Sequence, residues 1–205
     1  MIPVPRVAVI TPTWQRHDLL LGRCIPSVQA QVHPLTEHLV ISDGLDPVLR
    51  EKLRYPWLEG WHGLWYRELP AHDPEHHYGH HARAFALEHT DADYVTYCDD
   101  DDSLQPHHCS VLAAALDAAP DAGFAVSRMI SHGPGGTSVI GGGPVAQGNV
   151  GTPMIMHRRE ITEVASWDHA GQFEDWDLVH AWMDAGISHV RVDAETCDAW
   201  PSLFR

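Results

Sequence analysis

The sequence predicts an α/β protein: a three-layer α/β/α sandwich around a mostly parallel central sheet. Three observations lead there. Several short runs are continuously apolar, as strands buried on both faces are. Stretches with helical patterning separate those runs, and strand–helix alternation builds parallel sheets. Acidic or turn-forming residues follow the runs directly, at the strand ends where open α/β sheets bind ligands.

The first run is Val7-Ala8-Val9-Ile10; Thr11-Pro12-Thr13 breaks it, and a helix is expected from about Asp18 to Gln31. Leu39-Val40-Ile41 is the second strand, closed by Ser42-Asp43-Gly44, and a short helix is expected over Val48 to Arg54. Gly63-Leu64-Trp65-Tyr66-Arg67 is a third strand, followed by His-rich coil and a helix from about His80 to His89. Tyr94-Val95-Thr96-Tyr97-Cys98, β-branched and aromatic, is the strand that delivers Asp99 to Asp102. Pro106 to Ala119 is rich in Ala and Leu, with a proline at the helix entry, where its missing N–H costs nothing. Phe124-Ala125-Val126 is another strand; the glycines between 132 and 151, with Pro134 and Pro144, predict a hairpin or mobile loop. A strand at Met154-Ile155-Met156, a helix from about Phe173 to Ala185 and a strand at His189-Val190-Arg191-Val192 complete the pattern. No repeat or boundary divides it, so residues 1–205 are expected to form one domain.

Composition narrows the function. A formal net charge of −15 disfavours a nucleic-acid backbone as partner. Lys52 is the only lysine, and 17 histidines outnumber the 13 lysines and arginines, so net charge should rise as pH falls from about 7 to 5. Cys24, Cys98, Cys109 and Cys197 have neither metal nor disulfide-framework spacing and are expected to be reduced. No apolar run approaches the roughly 18 residues of a membrane span, and no leader peptide is evident. A cytoplasmic protein is expected.

Four adjacent carboxylates, Asp99 to Asp102, repel one another and need a compensating cation or strong solvation. Hard oxygen ligands at a strand end select magnesium or manganese, with substrate phosphates completing the shell. The competing reading is a solvated acidic turn. Asp43 should share the rim with the aspartates, because parallel strands end on the same side. Glu174-Asp175 open a predicted helix, where the dipole favours ionised carboxylates; simple capping is the alternative.

The order of these motifs resembles the family 2 glycosyltransferases of the GT-A fold, from about Val7 to Val192. Thr11-Pro12-Thr13-Trp14-Gln15-Arg16 is similar to the family's strand-one signature, and Ile41-Ser42-Asp43-Gly44 to its second-strand Asp-Gly turn. Gly79 with Ala82-Arg83 resembles the helix leading to the metal motif, and Asp99 to Asp102 fits Asp-x-Asp. Gly171 to Leu178, with Asp184-Ala185-Gly186, resembles the Glu-Asp helix ending in a glycine turn. Gln15 and Ala84 stand where the family often has asparagines.

The resemblance implies a GT-A type, Rossmann-like fold and an inverting transfer of sugar from a nucleotide-diphosphate sugar to an acceptor hydroxyl. It implies a donor site of Thr11, Pro12, Trp14, Arg16, Asp43, Arg83 and Asp99. Trp14 would lie against the base and Asp43 would accept a base N–H, favouring a UDP-sugar. Arg83 would hold the donor's phosphate region. Asp99 and Asp101 would hold Mn2+ or Mg2+, with Asp102 supporting them, and Asp175 would be the general base. The third metal ligand is open among His189, Asp193 and Asp198.

Other functions are compatible with the same residues. Asp99-x-Asp101 after an apolar strand also imitates the haloacid-dehalogenase phosphatases, but those expect an N-terminal motif and a downstream lysine. A nucleotidyltransferase, or a non-catalytic nucleotide- or metal-binding module of the same fold, would share the acidic site. His72, His76, His77, His80 and His81 could ligate zinc or be solvated coil. Trp57, Trp61 and Trp65 could stack on a sugar or pack in the core; His107 and His108 are expected on a helix-entry surface.

Overall fold

The computed structural model describes residues 4–34, 36–54, 63–72, 79–167 and 174–200. The first half contributes β1 (Val7–Thr13), β2 (Thr36–Ser42), β3 (Leu64–Glu68) and β4 (Tyr94–Tyr97). The second half contributes β5 (Ser103–Leu104), β6 (Ala122–Gly133), β7 (Gly136–Ile140), β8 (Ile155–Arg158) and β9 (Ser188–Ala199). The sheet order is β3-β2-β1-β4-β8-β6-β9-β5, with β7 paired to β6. β3, β2, β1 and β4 are mutually parallel. β8 runs antiparallel to both β4 and β6, and β6 runs parallel to β9.

This order positions the site. From β1 the chain steps outward to β2 and β3, then returns to lay β4 against the other edge of β1. The crevice at the ends of β1 and β4 is therefore the topological switch point, where open α/β sheets bind ligands. Val7 to Ile10 are wholly buried, as a strand in the middle of such a sheet requires.

The helix expected over 18–31 is three pieces: α1 (His17–Leu19), a π-helical turn (Leu20–Cys24) and α2 (Ile25–Gln29). Pro26 has no N–H for the carbonyl of Gly22, and local widening accommodates the lost bond. Then come α3 (Pro47–Lys52), α4 (His80–Glu88), α5 (His108–Ala118) and α6 (Glu174–Asp184).

Four strands differ from expectation, the first being β1, which is not broken at Thr11-Pro12-Thr13 but stays in register with β2 through Thr13. β6 and β9 each run 12 residues, because polar side chains that look like strand ends are satisfied across the pair. Arg128 on β6 meets Asp193 at 3.0 Å and Glu195 at 2.7 Å on β9. β5 is a two-residue bridge that leaves no sequence pattern. The glycine-rich segment does open with a hairpin, β6–β7, which turns over Pro134-Gly135 and enters β7 at Gly136 with φ +113°.

His108 is a correction: it lies fully buried rather than on a surface. Its Nε2 lies 2.9 Å from Thr96 Oγ1, and its Nδ1 2.8 Å from Thr196 Oγ1. Thr96 donates its hydroxyl to Ile155 O at 2.8 Å, so it must accept from Nε2–H, while Thr196 donates its own hydroxyl to Ser127 Oγ at 2.6 Å. Burial holds His108 neutral, its pKa pushed down to about 3. The chain of bonds ties α5, β4, β8 and β9 together beneath the aspartates. All four cysteines are free and buried.

Candidate active site

The turn after β4 is a knot of compensated carboxylates. Asp100, Asp101 and Asp102 are all buried. Thr13 Oγ1, the last residue of β1, donates to Asp100 Oδ2 at 2.7 Å. Arg16 Nη1 reaches both Asp100 Oδ1 (3.1 Å) and Asp101 Oδ2 (2.8 Å). Arg23 Nη1 donates to the Asp101 carbonyl at 2.5 Å, and its guanidinium covers the Trp200 ring at 4.5 Å. The Trp200 N–H donates to Asp102 Oδ1 at 3.0 Å, so the end of β9 closes over the turn.

Compensation is incomplete. Burial raises Asp100 to about 6, against the pull of Arg16 and Thr13. Burial, then the charges of Asp99 and Asp101, raise Asp102 to about 8.

Arg83, on α4, is buried with Nη2 2.6 Å from Asp99 Oδ1 and its guanidinium 4.7 Å over Trp167. Gly79 sets this up as the N-cap of α4 at φ +78°, where a Cβ would meet Pro12 at 2.6 Å. Thr11 and Pro12 are buried; the Thr11 hydroxyl faces His38 Nε2 at 2.8 Å and brings no side chain to the rim.

Across the rim lies an aromatic platform. The rings of Trp14 and His72 stack 4.3 Å apart and 4° from parallel. His72 Nδ1 lies 2.8 Å from Asp43 Oδ2. Asp43 is fixed by its N–H to Thr13 O (2.9 Å), and its Oδ1 is buried with no hydrogen-bond partner among the described residues. A buried acceptor without a donor is costly unless a ligand supplies one.

Asp175, in the first turn of α6, accepts from the Trp176 N–H at 2.7 Å. Its pKa is raised, chiefly by burial, with Asp99 adding repulsion and Arg83 opposing it. Asp175 therefore shares one electrostatic environment with Asp99 and Arg83. The side chain of Glu174 and residues 171–173 lie outside the described residues.

Among the described residues no three His, Cys, Asp or Glu side chains are arranged to hold a metal ion. The donor set still fits a hard divalent cation: the carboxylate oxygens of adjacent aspartates lie on one turn, where burial, then the charges of Asp99 and Asp101, raises Asp102. Asp198 pairs with Ser103, next to the turn, but His132 holds its Oδ1 at 2.8 Å and Gln105 its Oδ2. Asp193 is taken by Arg128, and His189 stacks on Phe124 at 5.1 Å.

Sequence reasoning missed Arg23, Trp167 and Trp200, which carry no motif signal and reach the site only through the fold. His72 was visible only as part of a His-rich stretch. Of that stretch His76 and His77 lie outside the described residues, as do Trp57 and Trp61. Trp65 packs against Phe85 (6.4 Å) and His89 (5.6 Å), as a packing residue would.

Comparison with known proteins gives the fold its relatives. S. aureus TarS residues 1–349 matches with TM-score 0.73 at 17% identity, over 95% of this chain and 60% of that one. The same TarS fragment solved with UDP-GlcNAc matches with TM-score 0.71 at 17% identity, over 98% and 60%. The Pyrobaculum calidifontis mannosyltransferase PcManGT, solved with GDP-Man and Mn2+, matches with TM-score 0.73 at 17% identity, over 99% and 59%. The chain thus spans about 60% of the length of these structures. No curated protein sequence matches it. The model of glycosyl transferase family 2 matches residues 8–140, which include β1 from its second residue, the Asp43 turn, α4 and the four aspartates, and the chain belongs to that family.

Proposed function

We propose that this chain transfers a sugar from a nucleotide-diphosphate sugar to an acceptor hydroxyl in one inverting displacement, with UDP as the favoured carrier. The observation that carries the reading is the meeting of three elements at the switch point. The aspartate turn of β4, Arg83 of α4 and Asp175 of α6 share one charge environment. Asp43 Oδ1, buried without a partner among the described residues, is suited to accept the imino N–H of uracil, with the stacked Trp14–His72 pair beside it as an aromatic surface.

In this reading Asp175 takes the acceptor's proton as the new glycosidic bond forms. Its raised pKa makes it a stronger base than a solvated aspartate. Arg83 and Arg16 hold positive charge where the leaving diphosphate gathers negative charge. Asp99 and Asp101 are the residues that would hold Mn2+ or Mg2+. Bound there, the ion would neutralise the leaving diphosphate. PcManGT, a mannosyltransferase of the same fold, was solved with Mn2+, which supports this choice. A cytoplasmic location is proposed with it; no helix among the described residues is long and apolar enough to cross a membrane.

The test is Asp175→Asn. Transfer from the donor should fall by at least about a thousandfold, while calorimetric affinity for the nucleotide with manganese stays within a few-fold. A fully active variant would remove Asp175 from the role of base.

A further inference from the structure

His72 touches both groups expected to receive the nucleobase. Its ring lies on Trp14, and its Nδ1 faces Asp43 Oδ2 at 2.8 Å and the Asp43 carbonyl at 3.2 Å. Both oxygens are acceptors, so Nδ1 carries the hydrogen. Gly44 makes the contact possible: at φ +116°, a Cβ there would fall 2.8 Å from the Trp14 ring and 2.9 Å from the His72 backbone N. The result is a carboxylate with one oxygen occupied and the other, Oδ1, buried without a partner among the described residues.

We infer that His72 sets the base preference of the site, selecting uracil over guanine by occupying Asp43 Oδ2. The inference rests on the donor-site reading above. Guanine presents two adjacent donors, N1–H and N2–H, which match both oxygens of a bare carboxylate. Uracil presents one donor, N3–H, flanked by two carbonyls. Against a bare carboxylate, one of those carbonyls would face the second oxygen and be repelled. With His72 N–H capping Oδ2, one acceptor remains for one donor. Guanine's second N–H then finds no free oxygen and pays for its desolvation unpaired.

The experiment is calorimetric titration of wild type, His72→Ala and His72→Asn with UDP and with GDP, each with manganese. Wild type should favour UDP by about tenfold or more. His72→Ala should lose about a factor of ten of that ratio, with GDP affinity rising. His72→Asn restores a side-chain N–H and should keep most of the preference. A wild type that prefers GDP, or an unchanged ratio in His72→Ala with both nucleotides still binding, overturns the inference alone. Failure of wild type to bind either nucleotide removes the donor-site reading and the inference with it.

Discussion

Gly79→Ala tests whether the start of α4 and the end of β1 form one rigid support for the site. Gly79 adopts φ +78°, and a Cβ there would lie 2.6 Å from Pro12 Cβ and 3.0 Å from Pro12 Cγ. Placing alanine in the left-handed region costs roughly 1–2 kcal/mol. Forcing a methyl against a buried ring on a central strand adds roughly 1–3 kcal/mol, since neither partner is the far end of a flexible side chain. The reduced freedom of the unfolded chain returns roughly 0.4–1 kcal/mol. A net loss of about 2–4 kcal/mol should lower Tm by roughly 4–16 °C for a domain of this size. Thermal unfolding followed by circular dichroism measures it. Gly22→Ala is the comparison, because nothing lies within 4 Å of its would-be Cβ and its φ is ordinary; its Tm should hold or rise slightly. Arg83 N–H bonds to Gly79 O at 3.0 Å, so nucleotide affinity should fall with Gly79→Ala even well below its Tm. A Tm within about 1 °C of wild type would refute the reasoning.

Two further outcomes follow from the site. In chelator, Asp102→Asn should be more stable than wild type at neutral and alkaline pH. The Asp102 pKa is raised to about 8, so its contribution is fully present below the unfolded value near 3.8 and is lost as pH rises through 8. The stability difference between variant and wild type should therefore widen from pH 4 to 8, on the order of 1 kcal/mol per pH unit at most, and level off above. A flat difference across that range would mean the carboxylate is not strained by burial. Gln15 holds φ +56°, the one non-glycine in the left-handed region among the described residues. Asparagine tolerates that conformation better, so Gln15→Asn should raise Tm by about 1–3 °C; a fall in Tm would show the glutamine side chain to be needed.

Gln15 shows how a departure from a family pattern acquires a cause. At sequence level it was only a glutamine where the family often has asparagine; the backbone angle supplies the physical reason for that preference. The hairpin at Gly136 and the parallel first half were likewise readable, because local chemistry decides them: φ beyond the reach of other residues, and apolar runs with no polar face. β6 and β9 were not readable past their apolar starts, because their polar residues are satisfied only by each other.

By itself the sequence determined the four-aspartate turn, the strand that delivers it, and the neighbouring acidic spots Asp43 and Asp175, because four adjacent carboxylates on an apolar strand are an electrostatic anomaly wherever they fold. Only the tertiary structure decided what answers that charge. Arg16 and Arg23 from the segment after β1, Arg83 from α4 and the Trp200 N–H from the end of β9 are far apart in the chain. The same holds for His72, which reaches Trp14 and Asp43 from beyond β3. Coulomb and hydrogen-bond energies depend on distance in space, and strand order sets that distance where spacing along the chain does not.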